Sequence, residues 1–86
     1  MQYILSKQFE KDFAKLPKST KAKAIVAFQR FVKNPNDIVL RNHELTGKLK
    51  NHFSINVTGD IRAVYIFVES DFVQFVAIGS HSKLYG

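Results

Sequence analysis

Histidines at His43, His52 and His81, an Asp60 and Arg62 two residues apart, and a tyrosine at Tyr85 are the residues of this chain that could do more than pack. Imidazole ionises near pH 6.5, so a histidine can take up or release a proton close to neutrality. A guanidinium keeps its charge at any working pH, and its planar fork offers a phosphate two hydrogen bonds at once. Proton transfer beside a bound phosphate is therefore the chemistry these types could share. A metal centre is disfavoured, because three histidines without close spacing and no cysteine make a poor ligand set. Neither metal nor other cofactor is expected.

The charge balance points toward the same class of partner. Thirteen Lys and Arg against seven Asp and Glu leave a net charge of +6 and a pI near 9.8. Such a surplus attracts a polyanion or an acidic protein at long range, though it serves solubility equally well. Length bounds the rest: 86 residues, 45% of them hydrophobic, suit one domain over 1–86. Eight Phe and three Tyr can fill its core without disulfides. No apolar run approaches the roughly 20 residues of a membrane helix, and no signal-peptide pattern opens the chain. A cytoplasmic protein without membrane contact is the expectation.

The elements that must position those side chains follow from periodicity. "QYILS" reads as a short strand, with Ser6 as N-cap of a helix over 7–16 carrying Phe9, Phe13 and Leu16. Lys7, Lys11, Lys15 and Lys18 form its opposite stripe, a solvated face or a grip on RNA phosphates. Pro17 breaks the pattern, and a second helix over 19–32 is expected to bury Ala24, Ile25, Phe28, Phe31 and Val32. "NPND" stops it. The period then becomes two: Phe53, Ile55 and Val57 alternate with a wet face of His52, Ser54, Asn56 and Thr58. Short turns at "TGD" and "SD" lead into "IRAVYIFVE" and "FVQFVAIG". The sum is an α+β fold: a short edge strand, a two-helix hairpin and a three-stranded antiparallel meander, four strands in all. The polar stretch "LRNHELTGKLKNHF" between helix and sheet is free of packing duties, the setting in which sites commonly lie.

"NHELTG" at 42–47, "GDIRAVY" at 59–65 and "GSHSKLYG" at 79–86, following a strand and a basic helical hairpin, resemble the RelE/ParE superfamily of bacterial toxins. Within it the likeness is to the YafQ-like branch of RelE toxins, which are ribosome-dependent mRNA endonucleases. The resemblance covers nearly the whole chain. Each motif is short, and their joint order carries the match. It implies a RelE-like fold and metal-free cleavage in which the RNA's own 2′-OH attacks the adjacent phosphate, confining the reaction to RNA. Such a reaction needs a base, a cation for the phosphorane and an acid for the leaving 5′ oxygen.

By the same resemblance, His81 is the general acid and His43 the base or a group that orients it. Asp60 stands where the family has a catalytic acidic residue, although Asp in "TGD" is also good turn chemistry. Arg62 contacts the scissile phosphate or pairs with Asp60. Tyr85 stacks on a substrate base or anchors the terminus on the sheet, and Asn56, Lys48 and Lys50 complete the substrate-binding set. The chain departs from the branch at Asn56, where a histidine is usual, at Ile61 in place of Trp, and at Ala77 in place of arginine. Asn56 can hold a ribose or phosphate but cannot exchange a proton, so the base is open, and His52 could substitute. The implied partners are a cognate antitoxin, the ribosome with its mRNA, and operator DNA bound by a toxin–antitoxin hetero-oligomer. Two other functions fit the fold: a ParE-like inhibitor of DNA gyrase, and a decayed toxin kept as an antitoxin-binding module.

Overall fold

The structure, a computed structural model, describes residues 1–85; Gly86, the last residue of the GSHSKLYG motif, lies outside them. Strand β1 spans Gln2–Leu5, helix α1 Lys7–Ala14 and helix α2 Lys18–Lys33. Strands β2 (His43–Glu44), β3 (Phe53–Asn56), β4 (Ile61–Glu69) and β5 (Phe72–Ser80) follow, and a short helix α3 (His81–Tyr85) closes the chain. Ser6 caps α1 as its type suggests, its Oγ accepting from the Phe9 amide at 3.0 Å. Pro17 stands at the junction of the two helices, extended at ψ 153°, and α2 begins directly behind it.

One sheet runs in the order β1-β5-β4-β3-β2, with β1 parallel to β5 and the other pairs antiparallel. The sheet therefore has five strands rather than the expected four. The additional one, β2, is two residues long, with His43 opposite Ser54 and Glu44 opposite Phe53. Two residues carry no alternation, so only the pairing reveals it.

Two expected core residues sit elsewhere. Ile25 and Val32 are 51% and 43% exposed, while α2 buries Ala24, Ala27, Phe28 and Phe31. Those four recur at i, i+3, i+4 and i+7, and a residue one step further along is turned by about 100° off that stripe. Phe75 of β5 is fully buried at the centre of the core. The rings of Tyr3, Phe9, Phe28, Phe31 and Tyr65 surround it at 4.8–5.9 Å between centroids.

A bulge in β5 decides which residues reach the other face. Val64 pairs with Ala77 but Tyr65 pairs with Phe75, so Val76 is an extra residue without a partner in β4. The extra residue shifts the alternation by one. Val73, Phe75 and Ile78 all reach the core, and Ala77 and Gly79 turn to the face away from the helices.

Candidate active site

Cross-strand partners share a face of the sheet, so the pairing lists what stands on the side away from the helices. Asn56, Arg62 and Gly79 form one row across β3, β4 and β5. His43, Ser54, Val64 and Ala77 form the next. Helix α3 folds back over these rows. A cleft of about 1050 Å³ opens between it and the 41–49 loop, lined by His43, Lys48, Asn56, Arg62, His81 and Tyr85 among others. Six of the eight residues expected at a site thus border one cavity.

His43 is held by its own loop. Its Nδ1 lies 2.8 Å from the Arg41 carbonyl, which can only accept, so the ring carries its proton on Nδ1. Nε2 is left as the free basic nitrogen. Arg41 adopts a left-handed backbone at φ 48°, a cost that a non-glycine residue bears when its surroundings fix it. Asn42 completes the anchor, donating to the Pro35 carbonyl at 3.0 Å and accepting from the Tyr65 hydroxyl at 2.8 Å. Burial raises the ionisation of Tyr65 above its ordinary value, so this anchor stays protonated at neutral pH.

Arg62 uses Nη1 on the Thr58 carbonyl at 2.9 Å and, more weakly, on the Ile61 carbonyl at 3.4 Å. That bond fixes the plane of the guanidinium at the cleft. The alternative ion pair with Asp60 is not formed. Among the described residues the ion pairs are Arg30–Asp37 and Lys83–Asp12.

His81 opens α3 and is exposed, its ring standing edge-on to Tyr85 at 4.7 Å between centroids. Its amide donates to the Asp60 carbonyl at 3.1 Å and lies 3.4 Å from Asp60 Oδ1. Asp60 does not line the cleft. It sits in the β3–β4 turn, where the Thr58 hydroxyl accepts from the amides of Asp60 and Ile61, and it ties that turn to the start of α3.

Tyr85 donates its hydroxyl to Ser54 Oγ at 2.8 Å. Ser54, expected on a wet face, is consequently fully buried. Lys50 and His52 also lie off the cleft, with His52 Nδ1 bonded to the Lys50 carbonyl at 3.2 Å. Arg41 and Leu84 line the cleft without having been singled out from the sequence. A third cation beside Lys48 was signalled only by the basic character of the loop, and Leu84 by nothing.

No group of three or more His, Asp or Glu that could hold a metal occurs among the described residues. No helix among them is long and apolar enough to cross a membrane. The family model described as a bacterial toxin of type II toxin–antitoxin system, YafQ, matches residues 1–86. Among solved structures, YafQ from E. coli strain BL21(DE3) is similar at TM-score 0.82 and 24% identity, over 99% of this chain and 98% of that one. The conserved hypothetical protein HP0894 from Helicobacter pylori aligns at TM-score 0.75 and 29% identity, over 99% of both chains. The E. coli DinJ–YafQ toxin–antitoxin complex matches at TM-score 0.79 and 24% identity, over 99% of this chain and 97% of that one. No curated protein sequence matches significantly.

Proposed function

The chain belongs to the YafQ family of bacterial toxins of type II toxin–antitoxin systems, and we propose that it acts as an endoribonuclease on mRNA held in the ribosome. The observation that carries this reading is the convergence of His43, Arg62 and His81 on one open cleft with Asn56, Lys48 and Tyr85 around them. A site built to bind without reaction has no need of two histidines beside a fixed guanidinium.

In the proposed reaction His43 Nε2 takes the proton of the 2′-OH, since Nδ1 is occupied by the Arg41 carbonyl. This assigns the base that the Asn56 substitution left open. The 2′ oxygen attacks the adjacent phosphorus, and Arg62 and Lys48 neutralise the charge that develops on the phosphorane. The imidazolium of His81 gives its proton to the 5′ oxygen as that bond breaks, leaving a 2′,3′-cyclic phosphate. Asp60 supports the acid by fixing its backbone. Tyr85 borders the position of the substrate base, and Asn56 offers an amide to ribose or phosphate.

The exposed lysines of α1 suit contact with ribosomal RNA, with affinity that falls as salt rises. An acidic antitoxin suits the net charge of +6. The direct test is induction of the gene in a bacterium beside His81→Ala. Growth arrest with mRNA cleavage in the first and neither in the second is expected; equal growth and equally intact mRNA would overturn the reading. Gyrase supercoiling should be unaffected by the purified protein, which separates this function from a ParE-like one.

A further inference from the structure

Asp12 is a buried ionisable residue for which neither the core nor the cleft supplies a use. It lies on α1 at 7% exposure, where Gln8 Nε2 donates to its Oδ1 at 3.0 Å. A carboxylate so placed is costly unless a cation stands beside it. That cation comes from the far end of the chain: Lys83 Nζ is 3.8 Å from the same oxygen.

Lys83 belongs to α3, whose five residues are far too few to hold a helix by themselves. Its path to α1 is open for two reasons. Strand β1 pairs with β5 only as far as Phe75, so the residues beyond have no strand on their outer side. Gly79 lacks the Cβ that would lie 3.2 Å from Lys83 Cδ, so the lysine stem can pass close over the strand. The helix is then pinned at both ends and in the middle: His81 by its amide on Asp60, Lys83 by Asp12, and Tyr85 by Ser54.

We propose that Asp12 is a positioning residue that holds the C-terminal helix docked through Lys83, and so keeps His81 presented to the cleft. The second half rests on His81 being the proton donor; the first half does not. Helix α1 thereby sets the geometry of a site it does not line.

The test separates the two halves. Asp12→Asn, Lys83→Gln and Lys83→Arg are compared in amide exchange of residues 81–85 by NMR, and in kcat and KM for ribosome-dependent RNA cleavage. Lys83 is more than half exposed, so Lys83→Gln leaves the fold intact even if Asp12→Asn weakens it. Asp12→Asn and Lys83→Gln are expected to speed exchange in α3 about two- to fivefold, the scale of a partly exposed ion pair, with β4 amides unchanged. A fall in kcat by a similar factor with little change in KM should accompany it, and Lys83→Arg should restore both. Unchanged α3 exchange in Asp12→Asn and Lys83→Gln overturns the docking role, whatever cleavage does. Faster exchange with unchanged kcat upholds the docking role and overturns the claim that this docking presents His81 to the cleft; the acid role itself stands or falls on His81→Ala.

Discussion

The hydrogen bond between Tyr85 and Ser54 gives a prediction whose size can be worked from its surroundings. Tyr85→Phe removes one oxygen and keeps the ring. Ser54 is fully buried, and the Tyr85 hydroxyl is its side-chain partner, so its Oγ is left unpaired in a dry position. Stranding a buried hydroxyl costs about 1–3 kcal/mol. The reverse change is gentler: Ser54→Ala leaves a tyrosine that is only partly buried and can turn its hydroxyl to water, at about 0.5–1.5 kcal/mol. With both groups removed the contact becomes apolar. The double variant should then be more stable than Tyr85→Phe alone, with a coupling of about 1–2 kcal/mol. For a domain of this size each kcal/mol is worth roughly 4–8 °C in Tm. Urea titration of the four proteins at one pH measures the cycle, and unchanged m-values show that the folded state keeps its extent. Cleavage should fall in Tyr85→Phe even though the stacking ring survives, because the helix bearing His81 loses its far anchor. A Tyr85→Phe protein within about 0.3 kcal/mol of wild type, with no coupling in the cycle, would refute the claim that this bond seals Ser54 and docks the helix.

Other perturbations reach different parts of the molecule. Phe75→Ala empties the centre of the aromatic core and should cost about 3–5 kcal/mol by chemical denaturation; a loss below about 1 kcal/mol would mean the neighbouring rings collapse into the space. Arg62→Lys keeps the charge but loses the fork and the Thr58 anchor. Cleavage should drop by about a hundredfold in kcat while stability changes by under about 1 kcal/mol, and wild-type kcat in that variant would remove Arg62 from the phosphate. Asp37 is held below the usual carboxylate range by the Val39 amide first; desolvation opposes this, and the hydrogen bond and charge of Arg30 lower it further. A depressed carboxylate contributes stability that is full above its unfolded pKa near 3.9 and is lost as pH falls through the lower folded value. The stability gap between wild type and Asp37→Asn should therefore be constant near neutrality and close below about pH 4. A gap that widens on acidification would contradict the assignment.

What the sequence determined by itself is the part governed by local rules. The N-cap at Ser6, the break at Pro17 and the alternation of Phe53 and Ile55 are each set by a residue and its near neighbours. Of the expected lysine stripe only Lys7 and Lys11 lie on α1, which ends at Ala14, while Lys15 caps it and Lys18 opens α2. Residue type marked the histidines and Arg62 as able to exchange protons or hold a phosphate near neutral pH, and the resemblance to the RelE toxins gave His43, Arg62 and His81 their places in a site. Pairing between distant segments decided the remainder. The two-residue strand at His43 exists only because β3 lies beside it. The Val76 bulge changes which residues of β5 face the cleft without any mark in an unbroken apolar run. Asp60 was nominated for chemistry, yet its carbonyl and carboxylate meet the His81 amide, a partner that no spacing along the chain could indicate. Ser54 follows the period of a wet face and is buried because Tyr85, from the other end of the sequence, closes over it. A helical or strand period reports only which way a side chain points. What it meets there depends on how the ends of the chain fold back, and this protein has its last helix cover the face its strands leave open.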